Sequence, residues 1–303
     1  MTAALDVAAT VGERYADAQA LEELVLRLES RRALLGRLVE IARSRFEFGE
    51  ASRADVTTLE ALSVELDLEL ARRRGELGLA RVALARSLGR PSDAATWTLD
   101  AWSPVPAVAA DERAWIDAAL AHRPEIAARR WELAALGDEE ALAALASAEG
   151  ASAGLAAERD GTWSFGPAVS APVPVLDDGM ARREMARAEV VAARHELVRA
   201  QRDVVADVRR AFAAFAAAQA ENARVERELL PLERARSAEI EAVYLAGEAD
   251  LTAVLVAEQD LAAAEARLVE LERAAAVTRV RLERAVGGAG AARALAVGVD
   301  GAR

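Results

Sequence analysis

The sequence contains no cysteine and no lysine. The first absence removes disulfides, thiolate metal sites, a cysteine nucleophile and an N-terminal lipidated cysteine from consideration. The second leaves 38 arginines facing 50 Asp and Glu, a net charge of −12 with no basic stripe. Nucleic acid is argued against, because phosphates need clustered cations to displace their counterions. Aromatic residues make up only 4% of the chain. No stretch reaches 18 apolar residues, which excludes a transmembrane helix but not a transmembrane strand. The longest uncharged run, Gly161 to Leu176, is short and interrupted by Pro167, Pro172 and Pro174. Residues 1–15 carry Asp6 and Glu13 and show no basic-then-apolar pattern, so no signal peptide is visible. His122 and His195 lie far apart without a Cys or a paired carboxylate at ligand spacing, and no Ser-His-Asp set or nucleophile elbow occurs. Neither a metal, a cofactor nor an enzymatic activity is expected.

What is present is helix-forming. Alanine accounts for 77 of the 303 residues, and with Glu, Arg and Leu it gives the composition of long, closely packed helices. The sequence also repeats itself at an offset of 198 residues. Gly49 and Glu50 match Gly247 and Glu248, Val56 matches Val254, and Leu70 matches Leu268. Arg81, Val82, Leu84, Arg86 and Gly89 match Arg279, Val280, Leu282, Arg284 and Gly287, with Phe46 and Tyr244 as the aromatics ahead of the first glycines. Val56, Ser63, Leu70, Leu77 and Leu84, and in the second copy Val254, Leu261, Leu268, Ala275 and Leu282, fall seven apart. Each copy thus presents a packing seam of 3.5-residue period. No Gly or Pro occurs from Met180 to Leu230.

Each half therefore reads as a long antiparallel helical hairpin, the first turning near Gly49 and the second near Gly247. The glycines suit left-handed helix stops, with Ser52 or Asp55, and then Asp250, as caps of the returning helices. Pro231 should kink or briefly break its helix. Between the halves, Thr96 to Leu99 suggest a short strand, and residues 111–145 are helical with a break at His122-Arg123-Pro124. Residues 150–158 are weakly strand-like, and Asp160-Gly161 is a two-residue hairpin signal. Beyond it the period becomes two: Trp163, Phe165, Val169, Ala171, Val173 and Val175 share the odd face, and small polar residues take the even one. The division is a first hairpin at 1–90, a connecting region with short helices at 91–149, a β-hairpin at 150–176, a second hairpin at 177–287 and a flexible tail at 288–303.

These residues resemble the TolC-like outer membrane factors, exit ducts of bacterial tripartite efflux pumps and type I secretion systems. The resemblance rests on the duplicated aromatic-x-x-Gly-Glu-Ala pattern followed by a helix ending in Leu/Val-Gly (Phe46 to Gly89; Tyr244 to Gly287), and on Arg123-Pro124-Glu125. It rests also on the segment Gly166 to Leu176 followed by Asp177-Asp178-Gly179, which looks most like the heavy-metal-efflux branch. It implies a mainly α fold in which duplicated hairpins form a coiled-coil α-barrel protomer and the strands join a membrane β-barrel. It further implies a homotrimer in outer membrane lipid and periplasm, passively exporting metal ions or small toxic compounds for an inner-membrane pump through a periplasmic adaptor (membrane fusion) protein. Phe48, Gly49, Glu50, Ser52, Asp55, Ala246, Gly247, Glu248 and Asp250 would lie at the periplasmic tip that contacts the adaptor. Trp163, Phe165, Val169 and Val173 would face lipid. Glu50, Asp55, Glu248 and Asp250 are plainly read as solvated turn acids; around a closed pore they would form cation-favouring rings. Set against a complete member, the chain reads as N-terminally truncated, with one β-hairpin where two are usual. Three such hairpins would close a narrower barrel than the smallest usual membrane barrel of about eight strands. A soluble coiled-coil structural or interaction protein, or a non-functional channel remnant, remains the alternative; the alternating ribbon from Gly161 to Val175 is what distinguishes them, because a helical rod has no use for it.

Overall fold

The computed structural model describes residues 2–91, 97–103, 105, 111–145, 152–170, 179–248 and 250–293. In chain order it contains α1 (Thr2–Glu47), α2 (Arg53–Ser87), α3 (Glu112–His122), α4 (Pro124–Ala144), β1 (Ser152–Asp160) and β2 (Thr162–Ser170). Then come α5 (Met180–Arg224), a π-helical turn (Val225–Leu229), α6 (Leu230–Leu245) and α7 (Leu251–Val286). The chain divides into two compact units, residues 1–118 with 207–303, and residues 119–206.

In the first unit α1 packs along both α2 and α7, and α7 along α6, giving a row α2-α1-α7-α6. Alanine sets the spacing at one end: Ala9, Ala16, Ala18 and Ala20 are the buried residues of α1 ahead of Leu24. Gly12 goes further, since a Cβ there would lie 3.0 Å from Val280 Cγ2. Toward the Gly49 turn larger side chains take over, and Leu35, Leu38, Val39, Leu59, Leu66, Tyr244, Leu251 and Val254 close a core drawn from all four helices. Each buried Leu or Val contributes about 1.5–3 kcal/mol relative to exposure.

The duplication is reproduced in backbone geometry. Gly49 (φ 77°) and Gly247 (φ 82°) are left-handed stops. Gly49 N–H bonds the Phe46 carbonyl at 3.0 Å and Glu50 N–H the Arg45 carbonyl at 2.8 Å, while Gly247 and Glu248 bond Tyr244 and Val243, each at 3.0 Å. These are paired Schellman motifs. Gly89 and Gly287, again 198 apart, end the returning helices the same way. Pro231 also acts as expected: the π turn immediately precedes α6, with the proline in that helix's first turn, where its missing N–H costs least.

On α2, Ala61, Val64, Leu68, Ala71, Gly75, Gly78 and Val82 alternate at three- and four-residue steps and are all exposed. The neighbouring heptad positions Glu60, Asp67, Arg74 and Arg81 pair with Arg43, Arg32, Glu29 and Glu22 of α1. Such pairs add little stability individually, but four at seven-residue intervals fix the rotation of α2 and turn the small-apolar seam outward.

In the second unit Pro124 sits in the first turn of α4, and Ile126 and Val190 are buried. β1 and β2 pair antiparallel from Ser152↔Ser170 to Asp160↔Thr162. Three expectations are corrected. The reversal centres on Gly161 (φ 77°) rather than on an Asp160-Gly161 pair, because a two-residue turn of that kind needs φ > 0 at both positions and only the glycine supplies it. Residues 97–99 form no strand, and the segment that follows is tied instead to α1 through Asp100 and to α7 through Trp102; Thr96 lies outside the described residues. Residues 289–293, expected as loose tail, form a helical turn that buries Ala292.

Candidate functional site

The two helical turns of the first unit sit side by side, joined by a residue the sequence did not single out. The Arg45 guanidinium donates to the Tyr244 carbonyl at 3.1 Å and lies over the Tyr244 ring, 5.1 Å from its centroid. Its Nε is 3.9 Å from a Glu50 carboxylate oxygen, and a Cβ on Gly247 would approach Nη2 to 3.4 Å. Arg45 thus clamps the end of α1 onto the end of α6. The only sequence signal was negative: its counterpart 198 residues on is Val243, a break in the repeat.

The aromatics of the two copies also diverge. Tyr244 is 4% exposed and belongs to the four-helix core, whereas Phe46 is 45% exposed and Phe48 79%. Leu245 is exposed as well. Phe48 is the last residue before Gly49, so this turn presents an apolar side chain to solvent, a feature that marks contact surfaces when apolar neighbours cluster with it. Ser52 is the N-cap of α2: its Oγ accepts from Asp55 N–H at 3.1 Å, and the Asp55 carboxylate accepts from Ser52 N–H at 2.9 Å, a complete capping box. Asp250 occupies the equivalent N-cap of α7 with extended backbone (φ −81°, ψ 149°) but makes no side-chain cap bond. The position three residues on is Ala253, so no reciprocal partner exists. Ala246 is the C-cap of α6, and Glu248 is exposed beyond it. Among the described residues no three His, Asp or Glu side chains are grouped to hold a metal ion.

On the strand pair, the register places Leu155, Ala157 and Arg159 on the same face as Pro167, Phe165 and Trp163. Trp163 and Phe165 stack with centroids 5.9 Å apart, and the Arg159 guanidinium lies 5.6 Å over Trp163. Phe165, Val169 and Leu155 are exposed, Leu155 by 87%. Leu155 was not singled out in the sequence, because β1 is otherwise small residues and charge and shows no clear alternation. Val173, expected on this face, lies outside the described residues. No described helix is long and apolar enough to cross a membrane.

Residues 115–288, more than half of the chain, match the family described as outer membrane efflux protein. The chain belongs to the outer membrane efflux protein family. No curated protein sequence matches this family member. Among solved structures, the outer-membrane channel OprN superposes with a TM-score of 0.67 at 20% identity, covering 96% of this chain and 68% of its own. The outer membrane protein VceC of Vibrio cholerae gives 0.65 at 20% identity, over 94% of this chain and 70% of VceC. CusC gives 0.67 at 19% identity, over 95% and 69%. At these identities the likeness is one of fold: duplicated long helical hairpins carrying a two-stranded ribbon. The three superpose about equally well at about the same identity, so no branch of the family is singled out.

Proposed function

We propose that this efflux-family chain is a subunit of an outer-membrane export duct. Copies of it pool their helices into an α-barrel and their strands into a β-barrel, and cargo passes through passively, driven by an inner-membrane pump. The observation that carries this reading is the ribbon. Leu155, Trp163, Phe165 and Val169 expose apolar side chains on one face of two nine-residue strands, with Arg159 over Trp163 at its turn end, and strands of about 9–11 residues are what a tilted membrane barrel uses. In water such a face is an aggregation liability; against lipid it is covered.

The turn pair carrying Phe48, Gly49, Glu50, Ser52, Asp55, Ala246, Gly247, Glu248 and Asp250 is the docking tip for a periplasmic adaptor. Its apolar element is Phe48, and its rigidity comes from the two Schellman motifs and Arg45. The outward seam of α2 supports assembly from several copies, three in the family arrangement. The five-part division, with the ribbon in the outer membrane and both hairpins in the periplasm, follows from this reading. Metal ions or small toxic compounds are the proposed cargo class.

The test replaces Phe48 with a photo-crosslinking residue in cells carrying the native adaptor and follows fractionation of the protein. An adduct with the adaptor and recovery in the outer-membrane fraction are expected, and Gly247→Val should weaken the adduct by straining the turn. Recovery only in the cytosol would overturn the channel reading; outer-membrane recovery without an adduct would remove the tip assignment alone.

A further inference from the structure

The segment Trp97–Ser103 lies across the place where the two repeats meet. Tyr15 on α1 donates from its hydroxyl to an Asp100 carboxylate oxygen at 3.1 Å and accepts from Asp100 N–H at 3.1 Å, and Gln19 donates to the Asp100 carbonyl at 2.8 Å. Two residues later the Trp102 indole N–H donates to a carboxylate oxygen of Glu272 on α7. The indole packs against a small core of Ala20, Leu24 and Val269, with Leu21 beside it. The segment is therefore a strap from the first repeat to the second.

Glu272 is unusual within this strap. It is 6% exposed, its one hydrogen bond is to Trp102, and among the described residues it forms no ion pair. The cationic group that acts on it is Arg27 of α1, which pairs with Glu23 at 2.9 Å and Glu265 at 3.6 Å. The other charged groups facing it, Glu23 of α1 and Glu226 of the π turn, are like-charged. In the first repeat the equivalent position is Arg74, an exposed arginine that pairs with Glu29, so the carboxyl is not an inherited feature of the heptad. A buried carboxylate with one neutral donor and no salt-bridged cation is costly, and it is relieved either by taking up a proton or by regaining water. Burial accordingly pushes the Glu272 carboxyl above the ordinary glutamate value, against the lowering effect of the indole bond and Arg27.

We propose that Trp102 and Glu272 form a proton-operated clasp: with Glu272 neutral the strap stays seated across α1 and α7, and with Glu272 ionised the strap loosens so that the carboxylate reaches water. The sign follows from linkage. A carboxyl that holds its proton more tightly when covered stabilises the covered state as pH falls, and the stabilisation is lost as pH rises through the covered-state value. The clasp closes in acid and eases toward neutrality.

Hydrogen exchange of the strap amides, corrected for intrinsic rates, tests this in the full-length protein. Protection of the Asp100 amide, which the Tyr15 hydroxyl accepts from, should fall with rising pH, by about tenfold for each unit separating the covered from the exposed carboxyl. In Glu272→Gln, which keeps an acceptor for the indole but carries no charge, protection should stay high and flat. Wild-type protection independent of pH, or a Glu272→Gln profile that tracks the wild type, overturns the clasp. Should the variant fold poorly, a carbon-13 titration of Glu272 in the unmodified protein decides: a midpoint at or below that of an ordinary glutamate overturns it too.

Discussion

At the scale of single residues, the molecule's distinctive contacts are those that break its own repeat. Arg45 has Val243 as its counterpart, Tyr244 has the half-exposed Phe46, and Glu272 has Arg74. A duplicated hairpin needs only its glycines, its seam and its caps; these departures join one copy to the other. Arg45→Ala should remove a charge-assisted bond to a helix-terminal carbonyl and a cation–π contact, each about 1 kcal/mol in partly exposed settings. A loss of about 1–2 kcal/mol in chemical denaturation is expected, with earlier fraying of α6 near Tyr244 in hydrogen exchange. An unchanged exchange profile at residues 242–246 would mean the clamp does not hold the turns. These links were not legible in the sequence. An arginine and a tyrosine 199 residues apart carry no local signature, whereas Gly49 and Gly247 announce themselves because only glycine takes φ near 80° without strain.

At the scale of elements, helices and their ends were legible, and strands were legible on one side only. The turn glycines, the proline break and the seven-residue seams are local rules, and α1, α2, α6 and α7 obey them. β2 showed its alternation through Trp163, Phe165 and Val169, but β1 concealed it behind alanines, so that Leu155 and the one-residue difference in register emerged only from pairing. The caps give a graded prediction. Ser52→Ala breaks a reciprocal box and should cost about 1 kcal/mol, while Asp250→Ala, at the equivalent position without a side-chain bond, should cost only a few tenths of that through the helix dipole. Thermal or urea denaturation of the two variants compares them directly. Equal losses would show that Asp250 caps α7 in solution after all.

At the scale of the whole molecule, the row α2-α1-α7-α6 has two ends, and each faces outward with small residues. On α2 these are Ala61, Val64, Leu68, Ala71, Gly75, Gly78 and Val82, held outward by the ion pairs to α1. On α6 the exposed residues include Ala235, Ala238 and Ala242. In the proposed duct, two different faces on one chain would make a head-to-tail contact, and head-to-tail contacts close into rings when the rotation between copies allows. Alanine is used for packing inside the row, and in the proposed assembly it would be used a second time for packing between rows. Leu68→Glu tests the second use. Leu68 is 67% exposed in the single chain, so a glutamate there should leave the helix content and the denaturation midpoint of the isolated chain nearly unchanged, as surface substitutions usually do within about 0.5 kcal/mol. Between copies it would bury an unpaired charge, and light scattering in detergent should then report monomer in place of assembly. Persistence of the assembly would place the contact on another face and leave the α2 seam unexplained.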